Sequence, residues 1–436
     1  MSLRRRTVDN TVANIVGVGL TALAQLATVP VLSAAWGIAG FGTWLMLATI
    51  PTWLALGDFG FGTAATAEMI AAAARGERAR VVAVFQSVLL LTLLAAATAV
   101  ALASPLLVAD RLPGLPGWAA AHGPAVAVLV AYAAAALVSR LFLAALRASG
   151  HYASATIAFE TATCLECLAM LGAALLGADH LGCALVLLGC RAVMTAAFAA
   201  LLTHRVPDLR PGLAHASAAD LRRLLSPAVA TLAFPIAFAV NIQGMTLVAG
   251  TVLSPVAVAV LEPVRTASRV AIQVTGAVNR ATMPEFAAAT ARGDHAAVRK
   301  LVAVNVGVAA GVLLPGAAAF VLLGRTVVEI WSGGRIVPEA GFVLLMGIAM
   351  LIHGLWHFTA NLLLAVNAHA DFARVLVASA LVSVAAAVPA AHLFGLDGIA
   401  GTVLLSESLC LLGVCHAVDR SGLAKAWAPA RAVPAP

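Results

Sequence analysis

The chain has 436 residues, of which 62% are hydrophobic and 10% charged, with a mean hydropathy of +1.01. Soluble proteins average about 45–50% apolar and about 25% charged residues, so these values argue against a soluble enzyme, a disordered chain or a disulfide-stapled secreted domain. The formal charge of +7 comes from arginines set between apolar stretches, where they orient membrane spans and do not point to nucleic acid.

A membrane-spanning helix needs about 20 apolar residues. At roughly 35 residues per span and connection, the length holds about twelve. We therefore expect an all-α integral membrane protein with about twelve transmembrane helices in two six-helix bundles related as parallel repeats.

Residues Asn10 to Gly57 carry no charge for 48 positions. Gly37, Gly40 and Gly42 divide this stretch into spans one and two. Spans three and four are expected near Val81–Pro105 and Ala119–Leu143, parted by Asp110-Arg111-Leu112-Pro113-Gly114. Spans five and six lie near Ser154–Leu176 and Leu181–Leu202, and spans seven and eight near Leu225–Ala249 and Pro255–Val278. Nine and ten lie near Leu301–Leu323 and Gly341–Leu364, eleven and twelve near Val375–Phe394 and Gly398–Val418. Pro51, Pro235, Pro263 and Pro315 fall inside spans two, seven, eight and nine, where proline removes a helix hydrogen bond and favours a kink.

With the N-terminus in the cytoplasm, the inner segments hold 20 of the 26 basic residues, the outer segments 3 (Arg111, Arg325, Arg335), and the spans 3 (Arg191, Arg265, Arg269). This asymmetry is what the positive-inside rule requires. It predicts a multi-pass protein of the bacterial inner membrane with both termini cytoplasmic.

The chain also repeats itself. Ala74-Arg75-Gly76-Glu77 matches Ala291-Arg292-Gly293-Asp294 at an offset of 217. His151 matches His369, and Gly177-Ala178-Asp179 matches Gly395-Leu396-Asp397, both at 218. Matching loops lie on the same side, so the halves are parallel repeats. The expected division is a first bundle at 1–206, a cytoplasmic linker at 207–223, a second bundle at 224–420 and a tail at 421–436. Two such bundles suit an alternating-access transporter, and the short outer connections argue against an enzyme.

Ionisable groups within spans are costly and often functional. Span eight reads Glu262-Pro263-Val264-Arg265-Thr266-Ala267-Ser268-Arg269. Arg265 and Arg269, four apart, would share a face and hold an anionic head group. The other reading is a Glu262–Arg265 pair that neutralises itself, or gates. Arg191 either lines the same cavity or pairs with Glu160 or Glu166. Glu160, Glu166 and Glu407 are candidates for ion coupling, because burial favours the protonated carboxyl. Asp58, in Gly57-Asp58-Phe59-Gly60, reads as a cap for the next helix stretch or as a gating charge. Asn14, Gln25, Asn241, Gln243 and Asn361 suit hydrogen bonds between helices or a cavity lining.

His353 and His357 have a metal-compatible spacing, but no third ligand accompanies them, so they read as interfacial or cavity-lining. Cys164 and Cys167 form C-x-x-C on a membrane helix and read as apolar packing, as do Cys183, Cys190, Cys410 and Cys415. No cofactor or metal is expected.

Gly40-Phe41-Gly42-Thr43-Trp44, Gly57-Asp58-Phe59-Gly60-Phe61-Gly62 and the Arg75-Gly76-Glu77 loop resemble the first third of bacterial polysaccharide transporters. The Asn14…Pro30 pattern of span one and the Gly395…Gly398 to Gly401 turn are similar too. These O-antigen and capsule-repeat flippases belong to the superfamily that also holds multidrug/toxin extrusion proteins and the lipid II flippase. The resemblance implies transfer of an undecaprenyl-diphosphate-linked oligosaccharide to the periplasmic leaflet. It places Arg265 and Arg269 at the diphosphate, with membrane lipids, a polysaccharide polymerase and glycosyltransferases as partners of a monomer. The rival reading is a multidrug/toxin extrusion-like exporter of small molecules. An exporter of cationic drugs would favour carboxylates over arginines in its cavity.

Overall fold

A computed structural model of the chain describes residues 3–58, 60–111, 117–366 and 370–421. The expected loop residues 112–114, His369 and the tail beyond Ser421 lie outside the described residues. Thirteen helices are present among them: α1 (Leu3–Leu47), α2 (Thr49–Ala55), α3 (Phe61–Ala74), α4 (Arg78–Ala103), α5 (Gly117–Ala148), α6 (Tyr152–Leu175), α7 (His180–Arg205), α8 (Ala218–Val248), α9 (Pro255–Ser268), α10 (Val270–Ala291), α11 (His295–Trp331), α12 (Ala340–Ala365) and α13 (Ala370–Arg420). No strand occurs among the described residues.

Nine helices among the described residues are long and apolar enough to cross a membrane. Large apolar side chains such as Leu102, Leu176 and Leu322 lie at least three-quarters exposed. Lipid tails, not water, suit such a surface. The chain is a multi-pass membrane protein.

Two of these helices are hairpins. A straight helix of 51 residues, the length of α13, would run about 76 Å against a hydrocarbon core of about 30 Å. Instead α13 turns back at Gly395, which has φ +60° and ψ −136°. Ser379 lies 3.1 Å from Cys410, and Asn241 Nδ2 donates to both Ser383 (3.4 Å) and Ser406 (3.0 Å). These pairs straddle Gly395 almost symmetrically, as two antiparallel arms demand. A Cβ on Gly398 would overlap the Ala390 carbonyl. In α1 the turn is at Gly37, with φ +70°. Trp36 and Trp44 have ring centroids 5.6 Å apart, where eight residues of continuous helix would rise about 12 Å.

Span two therefore runs from the second arm of α1 through α2 to α3, and span eight is α9 followed by α10. Counted this way, the chain has its twelve spans. Of the four prolines, Pro51 lies at a break, in the first turn of α2 behind Ala48, whereas α8, α9 and α11 run through Pro235, Pro263 and Pro315. The other interruptions come at the two hairpin glycines, at a π-helical turn over Ala249–Leu253 and at Arg269. A missing donor is tolerated when neighbouring helices restore the partners, whereas a glycine at positive φ redirects the chain.

The internal repeat is visible in backbone hydrogen bonds. After α3, Glu77 N donates to Ala72 O and Gly76 N to Ala73 O; after α10, Asp294 N donates to Ala289 O and Gly293 N to Thr290 O. Each donor and acceptor recurs at the offset of 217. Gly76 and Gly293 have φ of +76° and +67°, as a Schellman cap requires.

The chain divides into two compact units, Met1–Pro235 and Ile236–Pro436. The segment 207–223, read from sequence as a linker, is docked on the first unit. Gln86 accepts from His215 N (2.8 Å) and donates to Arg210 O (3.4 Å), Ser87 accepts from Ser217 N (2.9 Å), and Arg80 pairs with Asp220 and with Glu68 (3.1 Å). The core of this unit is built from Phe61, Met69, Phe85, Phe142 and Phe198 with many alanines between them. In the second unit, Phe286, Ala289, Val298 and Leu362 form a smaller cluster. Small residues let membrane helices approach closely.

Replacing Gly398 with alanine is expected to strain the α13 hairpin by about 1–3 kcal/mol. The check is thermal unfolding of the detergent-solubilised protein: the midpoint falls for Gly398→Ala and stays unchanged for Gly401→Ala, where a Cβ meets nothing within 4 Å.

Candidate functional site

In the first unit, helices α5, α6 and α7 bring Tyr132, Glu166 and Arg191 together. Glu166 Oε1 accepts from Tyr132 Oη (2.7 Å) and from Arg191 Nη2 (2.9 Å). Arg191 also donates to Tyr132 Oη (3.1 Å) and to Met194 Sδ (3.5 Å), and its guanidinium lies 5.0–6.0 Å from the ring centroids of Tyr132 (5.2 Å) and Phe159 (5.8 Å). Glu166 and Arg191 are each 3% exposed. Of the two sequence readings of Arg191, the pair with Glu166 is the one formed. Tyr132 was not singled out in the sequence; a lone tyrosine in an alanine-rich span is the only signal for it.

Glu160 goes elsewhere. It sits six residues before Glu166, on a different face, and packs over Gly17, where a Cβ would come within 2.7 Å of its Cγ. It lines a cavity of about 320 Å³ with Arg140 and Arg147. Asp58 ends a short 3-10 turn, Leu56–Asp58. Its side chain lies outside the described residues. The N-cap position of α3 is Gly60, at φ +76°.

In the second unit, Arg265 and Glu262 pair one turn apart on α9. Arg265 also donates to Ile242 O (2.9 Å) and Thr246 Oγ1 (3.2 Å) of α8, and Thr246 donates to Glu262. The Arg265 guanidinium is thus closed by a carboxylate, a carbonyl and a hydroxyl. Arg269 differs. It does not extend the Arg265 face along one helix, because α9 ends there and α10 starts. Its guanidinium makes no hydrogen bond or ion pair with a described residue. The charges acting on it are those of Arg265, Glu407 and Glu262.

Glu407, on the second arm of α13, is 8% exposed. Its Oε2 accepts from Trp356 Nε1 (2.6 Å) and lies 3.0 Å from His353 Nδ1. Either the imidazole N–H donates to the carboxylate or the protonated carboxyl donates to bare Nδ1. One proton lies between the two groups in both cases, which suits proton storage. His357 stands 5.4 Å from His353 and nearly parallel to Trp356. The sequence carried a signal for this cluster: His353, Trp356 and His357 share one helix face at spacings of three and four. No group of three or more His, Cys, Asp or Glu able to hold a metal occurs among the described residues.

Asn241 serves the α13 hairpin, and Asn361 Nδ2 donates to its own helix at His357 O (3.0 Å). Asn14 and Gln25 are exposed. A polar group missed in the sequence is Asn279, whose Nδ2 donates to Phe358 O (3.3 Å), near Asn305, which accepts from Thr282 (3.1 Å).

Removing one member of a buried ion pair strands the other. Glu166→Ala is expected to cost about 3–5 kcal/mol, and adding Arg191→Met in the same chain to restore most of it. Thermal unfolding of both variants in detergent tests this; equal losses in the single and the double variant would refute the coupling.

No protein-family model and no curated protein matches the sequence. Solved structures do match its fold. An inward-facing conformation of a multidrug resistance MATE family transporter of the MOP superfamily aligns with a TM-score of 0.76 at 17% identity, over 95% of this chain and 99% of that one. An outward-facing conformation of such a transporter aligns with a TM-score of 0.65 at 17% identity, over 98% and 97%. A MOP superfamily transporter from Pyrococcus furiosus, described as having a binding pocket of reverse polarity that suggests a different function, aligns with a TM-score of 0.63 at 17% identity, over 96% of each chain. From its first described helix to its last, the chain has the twelve-helix, two-repeat fold of these transporters.

Proposed function

We propose that this protein is an alternating-access exporter that carries small molecules out of the bacterial cytoplasm, with both termini on the inner side. The observation that supports this reading is the fold likeness, over nearly the whole chain, to multidrug resistance MATE transporters described as inward-facing and outward-facing. A fold populated in both states meets the basic requirement of alternating access. The Glu407–His353 pair is the proposed proton carrier, and Glu160 and Glu166 are the further carboxylates available for coupling.

One observation favours a second reading. Arg269 is a cation with no described partner, and guanidinium suits phosphate oxygens. An undecaprenyl-diphosphate-linked oligosaccharide would then be the substrate, with Arg269 at the diphosphate, Arg265 in the same unit one turn before it, and a polymerase and glycosyltransferases as partners. The neighbour of reverse pocket polarity gives precedent for a differently charged ligand on this fold.

Deleting the gene while profiling drug sensitivity and surface polysaccharide separates the two. Increased sensitivity to small toxic compounds, with the polymer unchanged, supports the exporter. Loss of a surface polymer, with its lipid-linked repeat accumulating inside, replaces it with the flippase. Arg269→Gln is expected to reduce transport at least tenfold without lowering the amount inserted in the membrane. Arg265→Gln is expected to lower the amount inserted, because it leaves the half-buried Glu262 without its cation. Normal transport by Arg269→Gln would remove that residue from the site.

A further inference from the structure

The cavity of about 320 Å³ in the first unit has, besides Glu160, a chemistry that the transport reading does not use. Its size falls at the lower end of small-molecule sites, about 300–1,000 Å³. Helix α5 brings two guanidinium groups to it, Arg140 and Arg147. Helices α3, α4 and α6 bring Thr63 and Thr66, Thr92 and Glu160.

Polarity divides between these walls. Thr66 donates its hydroxyl proton to Gly62 O (2.7 Å) and Thr92 to Val88 O (2.8 Å). With their protons used inside their own helices, both hydroxyls offer lone pairs. The Glu160 carboxyl oxygens also accept. The α5 wall is therefore a donor wall, and the facing walls supply acceptors.

These opposite charges do not neutralise each other. The side chains of Arg140, which is exposed, and of Glu160, which is half-buried, make no hydrogen bond or ion pair with a described residue. Arg147 donates through Nε to Thr156 (3.1 Å) and lies 5.0 Å from the Tyr152 ring centroid, so its outer nitrogens remain available. A guanidinium and a carboxylate that share a cavity without closing on each other call for an occupant that reaches both. A simple anion would leave Glu160 unanswered, and a simple cation would leave Arg140 and Arg147 unanswered.

We propose that this cavity binds a zwitterion carrying a phosphate and an ammonium, with the phosphate on Arg140 and Arg147 and the ammonium on Glu160, Thr66 and Thr92. The proposal concerns binding and does not depend on what the protein transports. A phosphoethanolamine lipid head group and a soluble amino-phosphate present the same chemistry.

The test uses the full chain, purified in an uncharged maltoside detergent. Thermal unfolding is followed with phosphoethanolamine, inorganic phosphate or ethanolamine, each at the same millimolar concentration. The expected result is a midpoint raised by several degrees with phosphoethanolamine and by much less with either fragment. Arg140→Gln and Glu160→Gln should each abolish the shift. Thr92→Val keeps the shape of the helix and should reduce the shift even where a charge variant fails to fold. Equal shifts with phosphate and phosphoethanolamine, a full shift in Glu160→Gln, or no shift with any compound would overturn the proposal. Native mass spectrometry of the same preparation identifies the source. Co-purified phosphatidylethanolamine makes a lipid the occupant; a phosphoethanolamine shift without retained lipid makes it a soluble zwitterion.

Discussion

Hydrocarbon offers no hydrogen-bond partner, so every polar group that enters it must be answered by the protein. The architecture follows from that constraint. Hydroxyls in the spans bond carbonyls of their own helix, as Thr43 does with Ala39 and Thr92 with Val88. Buried charges need more. Arg191 is closed by two helices besides its own, Arg265 by α8 and its own turn, and Glu407 by two side chains of α12. Each closure also fixes helix neighbours in register, because the partners meet at only one depth and one rotation. Stability and helix order thus come from the same contacts.

The membrane class, the number of spans and the repeat were legible in the sequence because each is a one-dimensional signal. Apolar length gives spans, and the same loop residues recur at 217 and 218. The turns at Gly37 and Gly395 were legible too, since glycine is the residue that accepts φ near +60°. What could not be read were partners across helices. Nothing in span four marked Tyr132 as the third member of the Glu166–Arg191 group, and nothing in span twelve pointed from Glu407 to His353. Proline alone does not set the breaks: Pro51 follows one at Ala48, whereas α9 runs on through Pro263 to Arg269.

Against this background of closed charges, the open ones stand out. The side chains of the half-buried Arg269 and Glu160 and of the exposed Arg140 have no described partner, in a protein that answers its buried ions two or three times over. Local rules tend to be broken at functional sites, where something outside the fold completes the group. The first unit holds one closed cluster and one open cavity, and the second unit likewise sets the closed Glu262–Arg265 pair beside the open Arg269.

The direction of the closed pairs along the chain has a consequence for biogenesis. Tyr132 precedes Glu166, and Glu166 precedes Arg191; Thr246 and Glu262 precede Arg265; His353 and Trp356 precede Glu407. In each case the group that is costlier to leave alone in lipid is synthesised after the group that receives it. A ribosome feeding this chain into the bilayer therefore delivers each buried arginine, and the last carboxylate, to a partner already made. Vectorial synthesis spares the nascent protein the solitary ion that would otherwise hold a span in the insertion machinery. Reversing such a pair along the chain, with its contacts kept, would leave the finished structure alike and its assembly slower.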